Sequence, residues 1–393
     1  MDQASLSRRV LLAGAALGFS AFLLSPAVRA AGDPLKIGVL LPLTGPSATF
    51  GTDYLQSISW AVDDINKAGG VEGHLLQVVP IDTRADPQTG LSAVNRLVDV
   101  DKAPAYLVSW SPVVRSTGQV ANREKVLEIS IGATSPDIAK LGKYTYTIYP
   151  LADVEAVVAA RWQVKKLGKK RAAVLYGNTE SGVAPARLFK DSFTNAGGSV
   201  VAFEAYDPKA TDFTSTLLTV KGADPDIIWI QGDAADTPLI IAQARQLGLT
   251  QTIATVQVGN NPAMIEQLGS AADGLLVTSL APGADVNPNV QKFVDRWQKE
   301  MKRVPNGLPT NQFMHDAVYV LRDLFAYTLK HGRQPTGENL QLAMEEAPQF
   351  NNLPLLNSVK ILSANGEHRV SNDLYILQVK DKKFVPYDTA RPE

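Results

Sequence analysis

The chain has 393 residues, 45% of them hydrophobic and 20% charged, with a formal net charge of −1. That length exceeds what one hydrophobic core fills, roughly 250–300 residues, so more than one domain is expected. The balanced charge gives no reason to expect a nucleic-acid partner. The absence of cysteine excludes disulfides, thiolate metal sites, a cysteine nucleophile and a lipid anchor attached through cysteine.

Residues 1–31 read as an export signal. Ser7-Arg8-Arg9-Val10-Leu11-Leu12 supplies a charged start with adjacent arginines, as in twin-arginine signals. An apolar run from Val10 to Leu24 follows, then Pro26 and a small-residue cleavage site at Ala30/Ala31. The run is short of the roughly 20 apolar residues that a membrane span needs. A released, periplasmic protein is therefore expected.

From Leu35 onward, short apolar runs alternate with amphipathic stretches. Leu35–Leu41 predicts a strand buried on both faces. Thr52–Ala68 predicts a helix, with Leu55, Ile58, Val62 and Ile65 inward and Gly69-Gly70 as its stop. Leu75–Ile81, Thr89–Val100 and Ala105–Ser109 continue as strand, helix and strand. The alternation restarts after Pro150. Asp153 is read as the N-cap of a helix running to Lys166, and Arg171–Tyr176 as the next strand. A helix over Ala184–Ala196 follows, then strands at Val200–Tyr206, Asp226–Gln231, Ile253–Val258 and Gly274–Thr278, with a helix ending at Gly248. Two long helices, Asn289–Arg303 and Thr310–His331, a short one at Asn339–Glu346 and late strands at Val359–Leu362 and Asp373–Val379 complete the chain, and Lys383–Tyr387 is set to pair with the last strand.

Alternating strands and helices imply parallel sheets with right-handed crossovers, hence an α/β fold of two similar lobes. Ligands of open parallel sheets sit beyond the carboxyl ends of the strands. Two such lobes face to face would build one cleft from the loops of both.

Catalytic constellations are missing. There is no glycine-rich phosphate loop after the first strand and no G-x-S-x-G elbow. His74, His315, His331 and His368 have no partners at metal-ligand spacing and read as surface or packing residues. Asp82 and Asp86 flank a turn before Pro87 and are weak candidates for a catalytic pair. No enzyme activity, metal or cofactor is expected.

The strand-end loops do carry a binding device. Ser111-Pro112 reads as N-cap and first helical residue, and Thr134-Ser135-Pro136-Asp137 offers the same arrangement. A helix N-terminus with a nearby hydroxyl suits a carboxylate. Each motif alone reads better as plain capping, but the pair at successive strand ends points to a carboxylate clamp. Phe50, in the loop after the first strand, and Trp110, beside Ser111, could wall the apolar part of a solute or pack beneath their loops.

Gly45-Pro-Ser-Ala-Thr-Phe-Gly51, Ala61-Val-Asp-Asp-Ile-Asn-Lys-Ala-Gly-Gly-Val-Glu-Gly73 and Asp82 through Pro87 together resemble the branched-chain amino-acid-type periplasmic binding proteins of ABC importers. Gln243-Ala-Arg-Gln-Leu-Gly248 and Asp273-Gly-Leu-Leu-Val277 resemble that family's second lobe. The resemblance runs from about Leu35 to Tyr387. It implies the type I periplasmic binding fold: two Rossmann-like lobes joined by three crossings, near Pro150, near Pro282 and after Glu346. The division expected is residues 35–150 with 282–346 in the first lobe, and 151–281 with 347–393 in the second.

The resemblance also implies positions for binding. Ser111 and Thr134, with the backbone of Gly132, fall where the family grips the ligand's carboxylate and ammonium, and Phe50 where an aromatic lines the pocket. Ser181 and Asp233 fall where amino-acid binders often have tyrosine. Gln257 falls where they usually carry an acid for the ammonium, and Asp233 is the candidate to replace it. The implied role is a monomeric solute-binding subunit that closes around an amino acid or a related small carboxylate and hands it to a membrane permease. An amide or urea binder and a sensor of the same fold are the alternatives.

Overall fold

The computed structural model describes residues 32–391 except 365 and 372, leaving aside the side chains of residues 180, 181, 262 and 364. The expected export signal lies outside the described residues. Among them, no helix is long and apolar enough to cross a membrane.

The first sheet is built from β1 (Gly32–Leu41), β2 (His74–Asp82), β3 (Ala105–Val108), β4 (Leu127–Ser130) and β5 (Thr145–Thr147). Their order is β2-β1-β3-β4-β5, with every pairing parallel. Ile37, Val39, Leu40 and Leu41 of β1 are all fully buried, because helices cover both faces of a parallel sheet. These helices include α1 (Ala48–Lys67), α2 (Pro87–Arg96) and α3 (Ser111–Glu124). On α1, Ile58, Val62 and Ile65 are buried as helical spacing predicts and Leu55 is half-buried, with Tyr54 and Ala61 completing the stripe.

After α4 (Ala152–Lys165), a second sheet begins with β6 (Arg171–Gly177). It continues through α5 (Glu180–Asn195), β7 (Ser199–Tyr206), α6 (Thr214–Gly222), β8 (Ile227–Gln231), α7 (Thr237–Gln246), β9 (Thr252–Thr255), α8 (Pro262–Leu268) and β10 (Leu276–Ser279). Strands β7-β6-β8-β9-β10 repeat the order of the first sheet. In both, the strand order reverses beside the first strand of the set, which opens a crevice at the carboxyl ends.

The chain then returns to the first lobe as α9 (Pro288–Met301), α10 (Leu308–Lys330) and α11 (Gly337–Glu346). Helix α10 packs along α1, where Ser57 Oγ donates to Asn311 Oδ1 at 2.7 Å.

The last crossing departs from expectation. Strands β11 (Gln349–Leu353), β12 (Asn357–Ala364) and β13 (Glu367–Ser371) form a small antiparallel sheet of their own. It packs on the first lobe: His368 stacks on Tyr146 of β5 at 4.3 Å, and buried Asp316 of α10 accepts hydrogen bonds from Leu355 N and Leu356 N at 2.8 and 2.7 Å. Residues 349–371 therefore sit with the first lobe, whereas the sequence reading gave everything after 346 to the second. The signal was missed because these contacts are long-range and leave no periodicity in the local sequence. Only β14 (Leu374–Lys380) and β15 (Lys383–Ala390) join the second sheet, both antiparallel, with β14 on β10.

Buried Asp53 anchors α1 to the loop before α10. It accepts from Arg303 through both guanidinium nitrogens and from Asn306 N at 2.8 Å and Asn306 Nδ2 at 2.9 Å. Arg303 is partly solvated, so its unpaired charge would rehydrate. We expect Asp53→Ala to cost about 2 kcal/mol, below the penalty for stranding a fully buried ion. Urea unfolding monitored by circular dichroism checks this, and an unchanged midpoint would remove Asp53 from the ledger of stabilising contacts.

Candidate functional site

The carboxyl ends of both sheets open on one cleft with a free volume of about 130 Å³. The second sheet contributes Gly177 at the end of β6, Gln231 to Asp233 at and just beyond the end of β8 and Val256 to Val258 after β9. The crossing segment contributes Pro150, Ala152 and Glu155, and the first lobe contributes Thr134. The crevice beside β6 and β8 is the reversal point of the second sheet, where open parallel sheets bind ligands.

Of the residues expected from the sequence, Thr134, Asp233 and Gln257 meet in this cleft. Ser111 stands just behind Thr134. Its Oγ accepts from the amides of Thr134 and Ser135 at 3.3 and 3.2 Å. A hydroxyl that already accepts two amides has its own proton left to give, so Ser111 is set up to donate. The N-cap of α3 is Trp110, not Ser111, which occupies the first helical position. Trp110 adopts φ 70°, a left-handed conformation that is costly for a bulky residue and clusters at binding sites. The second motif is a five-residue 3-10 turn, Pro136–Lys140, capped by Ser135 with no side-chain bond. It is not the helix that the sequence suggested.

Gly132 has φ 74°, and a Cβ there would lie 2.9 Å from Ser109 Oγ and 3.1 Å from Met314 Cε. Both backbone and space require glycine at that bend. Phe50 lies in the first turn of α1, not in the preceding loop, and is 42% exposed. It begins a row of rings, Phe50–Tyr54 at 6.3 Å and Tyr54–Trp110 at 6.0 Å. None of Phe50, Trp110, Ser111 and Gly132 lines the cleft itself. Ser181 lies in the first turn of α5, and its side chain is outside the described residues.

Gln257 has a different job from an ammonium acceptor. Its Nε2 donates to Tyr149 OH at 2.7 Å, and Tyr149 OH lies 3.2 Å from Thr310 Oγ1. The side chain thus ties the end of β9 to the crossing and to α10. Burial raises the Tyr149 phenol above its usual range, so it stays neutral as a partner in this chain.

Sequence reasoning missed Glu155, which lines the cleft while only 8% exposed. Gln257 N donates to Glu155 Oε1 at 2.8 Å, and Thr278 Oγ1 donates to the same oxygen. Burial raises this carboxyl above the ordinary range, partly offset by the two donors. An acid in the first turn of a helix normally reads as a complement to the helix dipole. Its neighbour Asp153 is not the N-cap that the sequence suggests. It lies inside α4, whose N-cap is Leu151, and pairs in a fork with Arg369 at 2.9–3.0 Å.

The carboxylates near Pro87 have structural roles. Asp82 Oδ1 accepts from Leu43 N at 2.8 Å and Arg84 N at 2.9 Å, fixing the loop after β1. Asp86 caps α2 by accepting from Thr89 N at 2.8 Å. Among the described residues, no group of three His, Asp or Glu side chains is arranged to hold a metal ion.

The family model described as periplasmic binding protein matches residues 34–383. The leucine-, isoleucine-, valine-, threonine- and alanine-binding protein of Pseudomonas aeruginosa is 27% identical over 303 residues, covering 76% of this chain and 79% of that protein. The crystal structure of a leucine-binding protein from Thermotoga maritima superposes with a TM-score of 0.71 at 25% identity, over 91% of this chain and 99% of that one. A solute-binding protein of an ABC transporter from R. palustris, in complex with benzoate, shares the fold with a TM-score of 0.71 at 21% identity, over 91% of this chain and 97% of that one.

Proposed function

Because the chain belongs to the periplasmic binding protein family, we propose that it is the extracytoplasmic solute-binding subunit of an ABC importer, closing its two lobes on a small organic carboxylate and delivering it to a membrane permease. The observation that carries this reading is the shared cleft, where Thr134 of the first lobe meets Gly177, Asp233 and Gln257 of the second. A solute bridging the two walls gains contacts that exist only when the lobes are together, and this difference shifts the population toward the closed form.

On this reading the carboxylate docks on Thr134 at the first-lobe wall and, as the lobes move, reaches the Ser111 hydroxyl and the Gly132 backbone just behind it. The first lobe comprises residues 35–150 and 282–371, and the second 151–281 and 374–391. The subunit acts as a monomer without catalysis, released after cleavage at Ala30/Ala31.

A second reading, an aromatic carboxylate as solute, is favoured by the ring row Phe50–Tyr54–Trp110 beside the clamp. Thermal shift and calorimetry with leucine, valine, phenylalanine, benzoate, 4-hydroxybenzoate, urea and short amides test both. We expect at least one carboxylate at 100 times its Kd to stabilise the protein by about 2.7 kcal/mol, seen as a rise in melting temperature. Binding of neutral amides alone would refute the carboxylate clamp. No response to any compound would refute solute binding.

A further inference from the structure

We propose that Glu155 receives a cationic amine of the solute, so that the protein selects α-amino acids over aromatic acids and neutral amides. The inference rests on the solute-binding reading above and deepens it.

Both hydrogen bonds to Glu155 end on Oε1. Among the described residues, Oε2 accepts none, and no lysine, arginine or histidine pairs with this side chain. A carboxylate at 8% exposure without a counter-charge is costly, and its ionised form needs a cation or further donors. The side chain lines the cleft, so the place left for the opposing charge is the cleft. Asp233 stands on the same wall but is solvent-exposed, where an ion pair contributes little. The buried carboxylate is the stronger partner.

The neighbours fit this role. Gln257, which the family resemblance marks as the ammonium position, has its amide committed to Tyr149. Its backbone N–H instead holds Glu155 Oε1. Thr278 fixes the same oxygen from β10. The carboxylate is thus gripped from two strand ends with one oxygen left over, and the acid has moved from the end of β9 to the first turn of α4. Beside it stands Thr134, whose carbonyl accepts from Ala152 N at 2.9 Å one turn earlier on α4, and the hydroxyl and amides there suit a carboxylate. The described residues lining the cleft include Glu155 and Asp233 but no basic side chain. A molecule with a carboxylate and an ammonium on one carbon matches these neighbouring groups. Benzoate would set an apolar edge against Glu155, and urea would bring it no charge.

The test is calorimetry on the ligand-stripped protein with three matched pairs of probes: L-leucine with 4-methylpentanoate, L-valine with 3-methylbutanoate and L-phenylalanine with 3-phenylpropanoate. Each second member lacks only the amine. For the pair that binds best, we expect the amino acid to bind about 100-fold more tightly in the wild type, as for a desolvated charge pair. Glu155→Gln keeps an oxygen for Gln257 N and Thr278 Oγ1. It should weaken the amino acid by about 100-fold while leaving its amine-free analogue within about threefold. Equal wild-type affinity for both members of a pair would overturn the inference even if the variant failed to fold. Equal amino-acid affinity in the wild type and Glu155→Gln would do the same, as would a loss that appears in Asp233→Asn instead. Binding of the analogues or of benzoate alone would overturn the inference and leave solute binding intact. No binding by any probe, benzoate and amides included, would overturn both.

Discussion

Alanine at both Ser111 and Thr134 should weaken carboxylate binding by about 1000-fold, the equivalent of roughly 4 kcal/mol. Each hydroxyl would contribute a charge-assisted hydrogen bond at about 1.5–3 kcal/mol, and the two together account for the loss. Ser111 is the more consequential of the pair. Its Oγ accepts from two amides of the Thr134 loop, so its removal also releases the loop that presents Thr134. We therefore expect Ser111→Ala alone to lose more than Thr134→Ala alone, and the double variant to lose less than the sum. Calorimetry on the two single variants and the double variant gives the cycle. Wild-type affinity in the double variant would place the solute's carboxylate elsewhere.

Glu128→Gln should abolish a pH dependence of stability that the wild type shows between about pH 4.5 and 7. Glu128 is fully buried on β4. Tyr106 OH donates to its Oε2, and Thr117 Oγ1 donates to the same atom at 2.6 Å. Oε1 makes no complete hydrogen bond and faces the Thr145 hydroxyl. Burial pushes the carboxyl from 4.5 up to about 7, against the pull of these hydroxyls. The sign follows from which state holds the proton. Between 4.5 and 7 the folded protein keeps Glu128 protonated while the unfolded chain has released it. Stability from this group is therefore complete below pH 4.5, falls as pH rises toward 7 and is level above. The span is worth about 3 kcal/mol. Glutamine stays neutral, accepts from Tyr106 and Thr117 and can donate to Thr145. The variant should gain stability over the wild type above pH 7 and lose that advantage by pH 4.5. Denaturant midpoints at pH 4.5, 6 and 8 check it, and a constant difference across the three would show that Glu128 does not titrate in this range.

The sequence showed best what is periodic. The buried runs of β1, β6 and β8 and the stripes of α1 and α10 gave the two-lobed α/β plan, because burial on both faces of a parallel sheet leaves an unbroken apolar run. Strands β4 and β5 went unread: their buried Glu128, Ser130, Thr145 and Thr147 break the apolar run that marks a parallel strand. The site was only partly legible. Thr134, Asp233 and Gln257 came from loop position and resemblance and do share the cleft. Glu155 could not be singled out, since its meaning depends on Gln257, 102 residues away, and Thr278, 123 residues away. Trp110 displaced Ser111 as the cap through a backbone angle that L-residues seldom take, which no residue pattern announces.

The late placement of the small antiparallel sheet bears on the order in which the molecule can be made. Strand β13 closes against the first lobe, and β14 and β15 finish the second immediately afterwards. Neither half is complete until the chain has run through β13 to β15. A chain cut before residue 347 would leave the β10 edge of the second sheet bare and the β5 side of the first lobe uncovered, so neither half would be intact. The two lobes therefore mature together and not in the order in which the chain runs.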